Sequence, residues 1–312
     1  MVPCIAALEV IRKNIMGAQN KTNQTTCFID EDVCFNVLTA IYTVIFIGGL
    51  AGSVMMLFLI CRTNTRTLTM TAVINLLIGH SIFLMTVPFR IDYYVRRDWQ
   101  FGPDFCKLVS AMIHIHMYVS FAFYVTLLII RYLSFFKQKD KIEFYRNLHS
   151  VVASASVWAV ILIIFLPPFL YYYGNKKPKG SKRECFHFHT EITNIVRILN
   201  YVVIAVILTV VCSLLGVQIF IIVKVVKNLQ SKFSNYQVFW VQLKSLFFIL
   251  VMIICFLPYH MFRIFYLDHV DDCFMFNEIC LSITALSCLD LLSFALQSGI
   301  RKGCQCTVFS GQ

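Results

Sequence analysis

Long apolar runs alternate with short polar stretches along the whole chain. Val37–Cys61, Leu68–Phe89, Leu108–Ile130, Leu148–Tyr173 and Ile198–Val223 contain no Asp, Glu, Lys or Arg. Ser245–Leu267 is interrupted only by Arg263, and Ile279–Ile300 only by Asp290. A helix rises about 1.5 Å per residue, so about 20 apolar residues cross the roughly 30 Å of bilayer hydrocarbon. The pattern predicts an all-α membrane protein, a bundle of seven transmembrane helices over residues 37–300. An N-terminal tail, 1–36, and a short C-terminal tail, 301–312, flank it. The connections leave no room for a separate soluble domain, and there is no long repeat or Gly/Ser linker.

Composition points the same way. The 312 residues are 59% hydrophobic and 14% charged, more apolar surface than one soluble core can hide, so the remainder faces lipid. Charge does not orient the bundle by itself, because bases crowd both rims and nearly cancel the usual cytoplasmic excess. Two other signals break the tie. Asn20-Lys21-Thr22 and Asn23-Gln24-Thr25 are N-glycosylation acceptors, which only the lumenal side can modify, and most acidic residues share that side. The N-terminus is therefore expected outside and the C-terminus in the cytoplasm, with the chain multi-pass in the plasma membrane. Met1–Ile15 lacks the apolar core and cleavage site of a signal peptide. Met16 stands as an alternative initiator, and the first span as a signal anchor.

Position sorts the thirteen cysteines. Cys106 and Cys185 both fall on the outer side, where an oxidising compartment permits a disulfide that would tie the fourth loop over the bundle. Either Cys27 or Cys34 is a candidate partner for Cys273. Cys212, Cys255 and Cys288 sit in apolar runs and read as small buried hydrophobes. Cys304 and Cys306 suit palmitoylation or stay free thiols.

Several motifs then fall in a telling order: Trp99-Gln100-Phe101-Gly102 with Cys106, Arg131-Tyr132, Trp158, Cys185, Cys255-Phe256-Leu257-Pro258-Tyr259-His260, and Asp290 with Phe294. In order and spacing they resemble the signatures of rhodopsin-like G-protein-coupled receptors, near the branch that takes purines and lipids. The resemblance implies a receptor that activates a heterotrimeric G protein, with no cofactor, no nucleic-acid partner and no enzymatic activity. It makes Arg131 and Tyr132 the switch at the inner end of the third helix, about 37 Å of helix from Cys106. It makes Pro258 and Phe256 the pivot of the sixth.

Departures from the family pattern carry their own expectations. Ile130 stands where the family keeps an acid beside the arginine, which removes one restraint on the inactive state and predicts signalling without ligand. Phe256 replaces a tryptophan. Leu291 replaces the proline after Asp290, which predicts a straighter seventh helix. His80 occupies the place of an aspartate that holds sodium. This predicts a receptor indifferent to sodium, in which His80 approaches Asp290, an intramembrane charge that needs a partner, or instead bonds Ser120 or a backbone carbonyl.

The ligand is bounded by charge. His260 and Arg263, three residues apart, share a helix face, and with Arg90 and Arg197 they would surround an outer site with positive charge that attracts an anion. The resemblance agrees, since nucleotide and acidic-lipid receptors use a similar His-x-x-Arg pair. The alternative is that these arginines pair with Asp92, Glu191 or Asp268 and brace loops. Ile113 stands where amine receptors keep an aspartate. Lys224, Lys227, Lys232 and Lys244 would face anionic membrane lipids as well as the G protein.

Other functions fit less well. The seventh span has no lysine for a retinal Schiff base, and the few intramembrane charges do not suit a transporter. His114 and His116, two apart, point to different helix faces, which speaks against a membrane metalloenzyme and for packing. A decoy or chaperone receptor that binds without signalling remains the competing reading.

Overall fold

The computed structural model describes residues 30–62, 68–136, 148–172, 185–186, 194–227, 234–267 and 273–295. Seven helical elements lie among them, and no strand. They are α1 (Glu31–Cys61), α2 (Leu68–Arg96), α3 (Pro103–Phe135), α4 (Leu148–Tyr172) and α5 (Asn194–Lys227). In α6, a π turn (Met252–Phe256) joins the α segments Ser234–Val251 and Leu257–Tyr266. In α7, an α segment (Phe274–Thr284) tightens into a 3-10 turn (Ala285–Leu289) and then runs on as helix to residue 295.

Six of these helices are long and apolar enough to cross a membrane, and α4 carries a shorter apolar stretch, Val151–Ile164. Most exceed the charge-free runs, because polar residues can complete a helix beyond the hydrocarbon. α1, for example, begins at Glu31 rather than Val37. There Asp30 caps the helix by accepting from the Asp32 amide at 3.2 Å, and Glu31 and Asp32 sit at the favourable positive end of its dipole. Large apolar side chains turned outward, such as Met85 and Ile163 at 73% and 71% exposure, are the surface that composition assigns to lipid.

Neighbouring helices follow chain order, α1 against α2, α2 against α3, α3 against α4, α5 against α6 and α6 against α7, and α7 returns to α1. The return is close. A Cβ on Gly52 would lie 2.6 Å from the backbone nitrogen of Leu292, so only glycine admits that approach. Polar ties reinforce the packing. The Trp158 indole donates to Asn75 Oδ1 at 3.1 Å, while Asn75 donates to Ser154 at 3.0 Å, linking α2 and α4. Gln218 of α5 donates to the Gln242 carbonyl of α6 at 3.0 Å.

Two helices depart from expectation. In α6 the Leu257 amide reaches back to the Met252 carbonyl. Pro258 therefore opens a new α segment directly after a π turn, and the irregularity belongs to both. α7 does not run as one regular α-helix, because it tightens over Ala285–Leu289 just before Asp290.

Candidate functional site

α3 is the common wall of three polar clusters, one near each end and one between. Its start is set locally. Gly102 adopts φ +84°, a conformation open to glycine, its carbonyl accepts from the Trp99 indole at 2.7 Å, and Pro103 follows at the helix's first position, where its missing amide costs nothing. Trp99 is buried against Tyr93, Phe101, Phe105 and Phe186. Cys106, one turn into the helix, is bonded to Cys185 with Cα atoms 5.8 Å apart. Cys273 is also disulfide-bonded. Its partner is not Cys34, a free buried thiol directed at the Met275 carbonyl, so one of the two expected candidates is corrected; Cys27, the other, lies outside the described residues.

The first cluster lies toward this disulfide. Arg90 is 1% exposed and donates to Tyr42 Oη at 3.3 Å and to the Val109 carbonyl at 2.9 Å. Its guanidinium sits 4.4 Å from the Phe186 ring, beside the disulfide. Arg263 donates to Asn200 of α5 and Asn277 of α7 at 3.3 and 3.2 Å and lies over the Tyr266 ring. His260 is buried against Tyr118, with no hydrogen-bond partner at Nε2 among the described residues. His114 of α3 lies 3.1 Å from the Ser110 carbonyl through Nδ1 and 3.5 Å from Tyr259 Oη through Nε2. Arg197 sits half-buried in the first turn of α5. Asp92 pairs with Arg96 at 2.7 Å, and Asp32 with Arg97.

Sequence reasoning missed Glu278 and Asn277, having started the last span at Ile279. Glu278 is buried and accepts from Tyr94 Oη at 3.4 Å. An acid one residue before the apolar run Ile279–Ile300 was the available signal.

The second cluster is fully buried between α2, α3 and α7. His80 Nε2 lies 3.2 Å from Asp290 Oδ1, and Tyr124 donates to Asp290 Oδ2 at 2.6 Å. His80 Nδ1 lies 2.8 Å from His116 Nε2. Ser120 and Cys288 approach the same His116 nitrogen at 3.4 and 3.3 Å. Ser120 thus meets His116 rather than His80. His116 packs in the core as expected, stacked on Phe83 at 4.4 Å, and Cys288 is buried as expected, but both also carry polar contacts. The helix-face argument does separate His116 from His114, but it left out the facing helices.

The third cluster lies at the far end of α3. Arg131 donates to Ser245 Oγ of α6 at 3.2 Å and rests 4.7 Å over the Phe248 ring. Tyr132 donates to the Leu214 carbonyl of α5 at 3.2 Å. Phe256 is buried against Phe121 and Tyr124, one step from Asp290. Asn20, Asn23, the lysines of the fourth loop, Lys232, Cys304 and Cys306 lie outside the described residues.

Over residues 51–293 the chain matches the family described as "7 transmembrane receptor (rhodopsin family)". It is 45% identical over 287 residues to "Probable G-protein coupled receptor 141" of Homo sapiens, spanning 89% of this chain and 93% of that protein. It is 28% identical over 307 residues to "Probable G-protein coupled receptor 34" of Pan troglodytes, spanning 90% and 77%. With "Lysophosphatidic acid receptor 4" of Homo sapiens it shares 30% identity over 144 residues, 46% of this chain and 39% of that protein.

Proposed function

The chain belongs to the rhodopsin family of seven-transmembrane receptors, and from that premise we propose that it senses an anionic ligand outside the cell and activates a heterotrimeric G protein inside it. The observation that carries this reading is the polarity of α3. Arg90 of α2 and Arg263 of α6 are buried toward one end, and Arg131 stands at the other, tied to α6. A charge held at the first end can be sensed along one helix at the second.

The disulfide end faces outward in this reading. A bond between Cys106 and Cys185 belongs to an oxidising compartment, and the acceptors Asn20 and Asn23 precede α1 on the same side. The tail of residues 1–36 is then extracellular, residues 37–300 lie in the plasma membrane, and residues 301–312 are cytoplasmic.

Arg263, His260, Arg90 and Arg197 are the ligand-binding residues of this proposal. Arg90 donates to a hydroxyl and a carbonyl, and Arg263 to two side-chain amides, and a guanidinium held in a low-dielectric surround attracts an anion strongly. Arg263, braced by two asparagines, is best placed to make a charge-assisted bond. A relative named for lysophosphatidic acid, an acidic lipid, supports the same ligand class. Arg131, Tyr132, Phe256 and Pro258 form the switch, with His80 and Asp290 between the two ends.

The test is G-protein activation in cells expressing wild type, Arg131→Ala or Arg263→Gln at matched surface levels, challenged with nucleotides and with lysophosphatidic acid. The proposal expects a response in wild type, its loss in Arg131→Ala, and a right-shifted dose response in Arg263→Gln. Binding of an anion by wild type with no activation of any G protein would move the chain to the non-signalling receptors. Equal responses in wild type and Arg131→Ala would remove the switch.

A further inference from the structure

The cluster between α2, α3 and α7 holds more donors than its hydrogen bonds can use. Three heteroatoms converge on the Nε2 of His116: His80 Nδ1 at 2.8 Å, Cys288 Sγ at 3.3 Å and Ser120 Oγ at 3.4 Å. A single imidazole nitrogen offers either one proton or one lone pair, so it cannot serve all three. His80, His116 and Cys288 each place a ligand atom within 4.8 Å of the other two, all buried. We propose that this cluster is a zinc site, with His80 Nδ1, His116 Nε2 and the Cys288 thiolate as ligands and the Ser120 hydroxyl or a water as the fourth.

The surroundings favour that chemistry. The Nε2 of His80 lies 3.2 Å from Asp290 Oδ1, an ion-pair distance at which neither atom has a hydrogen-bond partner among the described residues; a proton on Nε2 is favoured by that carboxylate and leaves the lone pair of Nδ1 for the cluster. A carboxylate behind a ligating histidine sets the tautomer and raises the basicity of the ligand nitrogen. The carboxylate is itself held, because Tyr124 donates to its other oxygen at 2.6 Å.

Charge balances as well. A buried dication is offset by the Cys288 thiolate and the Asp290 carboxylate, the two negative charges at hand. An imidazole and thiolate set selects zinc over magnesium, calcium or sodium, which prefer oxygen. The fit requires the ligand atoms, which now lie within 4.8 Å of one another, to draw in, since a nitrogen and a sulfur on a tetrahedral zinc ion stand about 3.5 Å apart. Two imidazole nitrogens on a tetrahedral zinc ion stand about 3.3 Å apart, so His80 and His116 would separate by a few tenths of an ångström through side-chain rotation. Bound zinc would connect α2, α3 and α7 at mid-bundle, between the two ends of α3.

The experiment uses the full chain purified in detergent, stripped with chelator and titrated with Co²⁺ as a spectroscopic stand-in for Zn²⁺. The expected result is a thiolate-to-cobalt charge-transfer band that saturates at one ion per chain, is abolished in Cys288→Ser and His116→Gln, is unchanged in Cys255→Ser and Cys280→Ser, and disappears when Zn²⁺ displaces the cobalt. Added Zn²⁺ should also raise the unfolding temperature of wild type, since a ligand of the folded state stabilises it. Absence of the band in wild type, or its survival in Cys288→Ser, overturns the proposal. Should a variant not fold, zinc X-ray absorption on wild type decides. A shell of one sulfur and two imidazole nitrogens supports the site, and a shell of oxygen or of sulfur alone rejects it.

Discussion

Arg131 donates from Nη1 to Ser245 Oγ across 3.2 Å, and its guanidinium lies 4.7 Å over the ring of Phe248. Both partners belong to α6, so this bond ties α3 to the helix that carries the π turn and Pro258. With Ile130 in the neighbouring position, the arginine has no acid beside it in the chain, and a neutral hydroxyl on the next helix takes that role.

Ser245→Ala is therefore expected to raise signalling in the absence of ligand. A charged donor's hydrogen bond contributes about 1.5–3 kcal/mol when buried, but Arg131 is only partly buried, and roughly 1 kcal/mol after screening corresponds to about a fivefold shift between states. G-protein activation without ligand, at matched surface expression, measures it. A basal output equal to wild type would show that the Ser245 bond does not restrain the receptor.

The approach of α1 to α7 is set at Gly52, where a Cβ would lie 2.6 Å from the Leu292 nitrogen and 3.1 Å from its Cα. Backbone cannot rotate away as a side chain can. Gly52→Ala should therefore cost about 1–3 kcal/mol by overpacking and lower both unfolding temperature and surface expression. Gly216, in α5, has nothing within 4 Å of such an atom. Gly216→Ala should be neutral, or stabilise by up to about 1 kcal/mol through helix propensity. Thermal unfolding of the two purified variants compares them directly.

Much of this architecture is legible in the chain, and the limits have physical causes. Charge-free runs locate the helices because lipid admits little else. Asp290 could be assigned a partner, and His80 proposed, because a lone intramembrane acid is costly. The convergence of His116 and Cys288 with His80 was not legible, because helical phase says which residues share a face but not which faces of other helices meet them at the same depth. Glu278 escaped because a span drawn from apolar residues ends at the first charge, whether or not that charge is buried. Phe186 sits in a loop with no periodicity, and only the disulfide at its neighbour brings it over Arg90. The π turn in α6 is a change of hydrogen-bond register, to which hydrophobic pattern is blind.

Arg90 joins the loop to the bundle. Its guanidinium is sandwiched between Phe186 at 4.4 Å and Tyr42 at 5.6 Å, with hydrogen bonds to Tyr42 and Val109. A desolvated cation–π contact contributes about 2 kcal/mol, so Arg90→Ala and Phe186→Ala should each lower the ligand-free unfolding temperature. The double variant should lose less than the sum, because the two residues share one contact. Additive losses would mean that Arg90 does not hold the loop, and an Arg90→Ala protein as stable as wild type would leave only ligand binding as its role.

His80 and Asp290 are 3.2 Å apart and fully buried, on different helices. Removing either leaves one buried polar atom of the other without its partner, although Tyr124 still holds Asp290 and His116 still meets His80, and that loss is costly. A double-mutant cycle of His80→Ala and Asp290→Ala, read as ligand-free stability in detergent, should therefore give a coupling of about 1–3 kcal/mol, with the double variant more stable than the sum of single losses predicts. Sodium enters the same prediction. The imidazole of His80 lies 3.2 Å from Asp290 Oδ1, on the side from which a sodium ion would have to reach that oxygen. Basal signalling and unfolding temperature should accordingly be the same in sodium and potassium salts of equal ionic strength. A sodium-specific rise in stability that is lost in Asp290→Ala would show that the carboxylate still serves the cation, and that His80 has not taken its place.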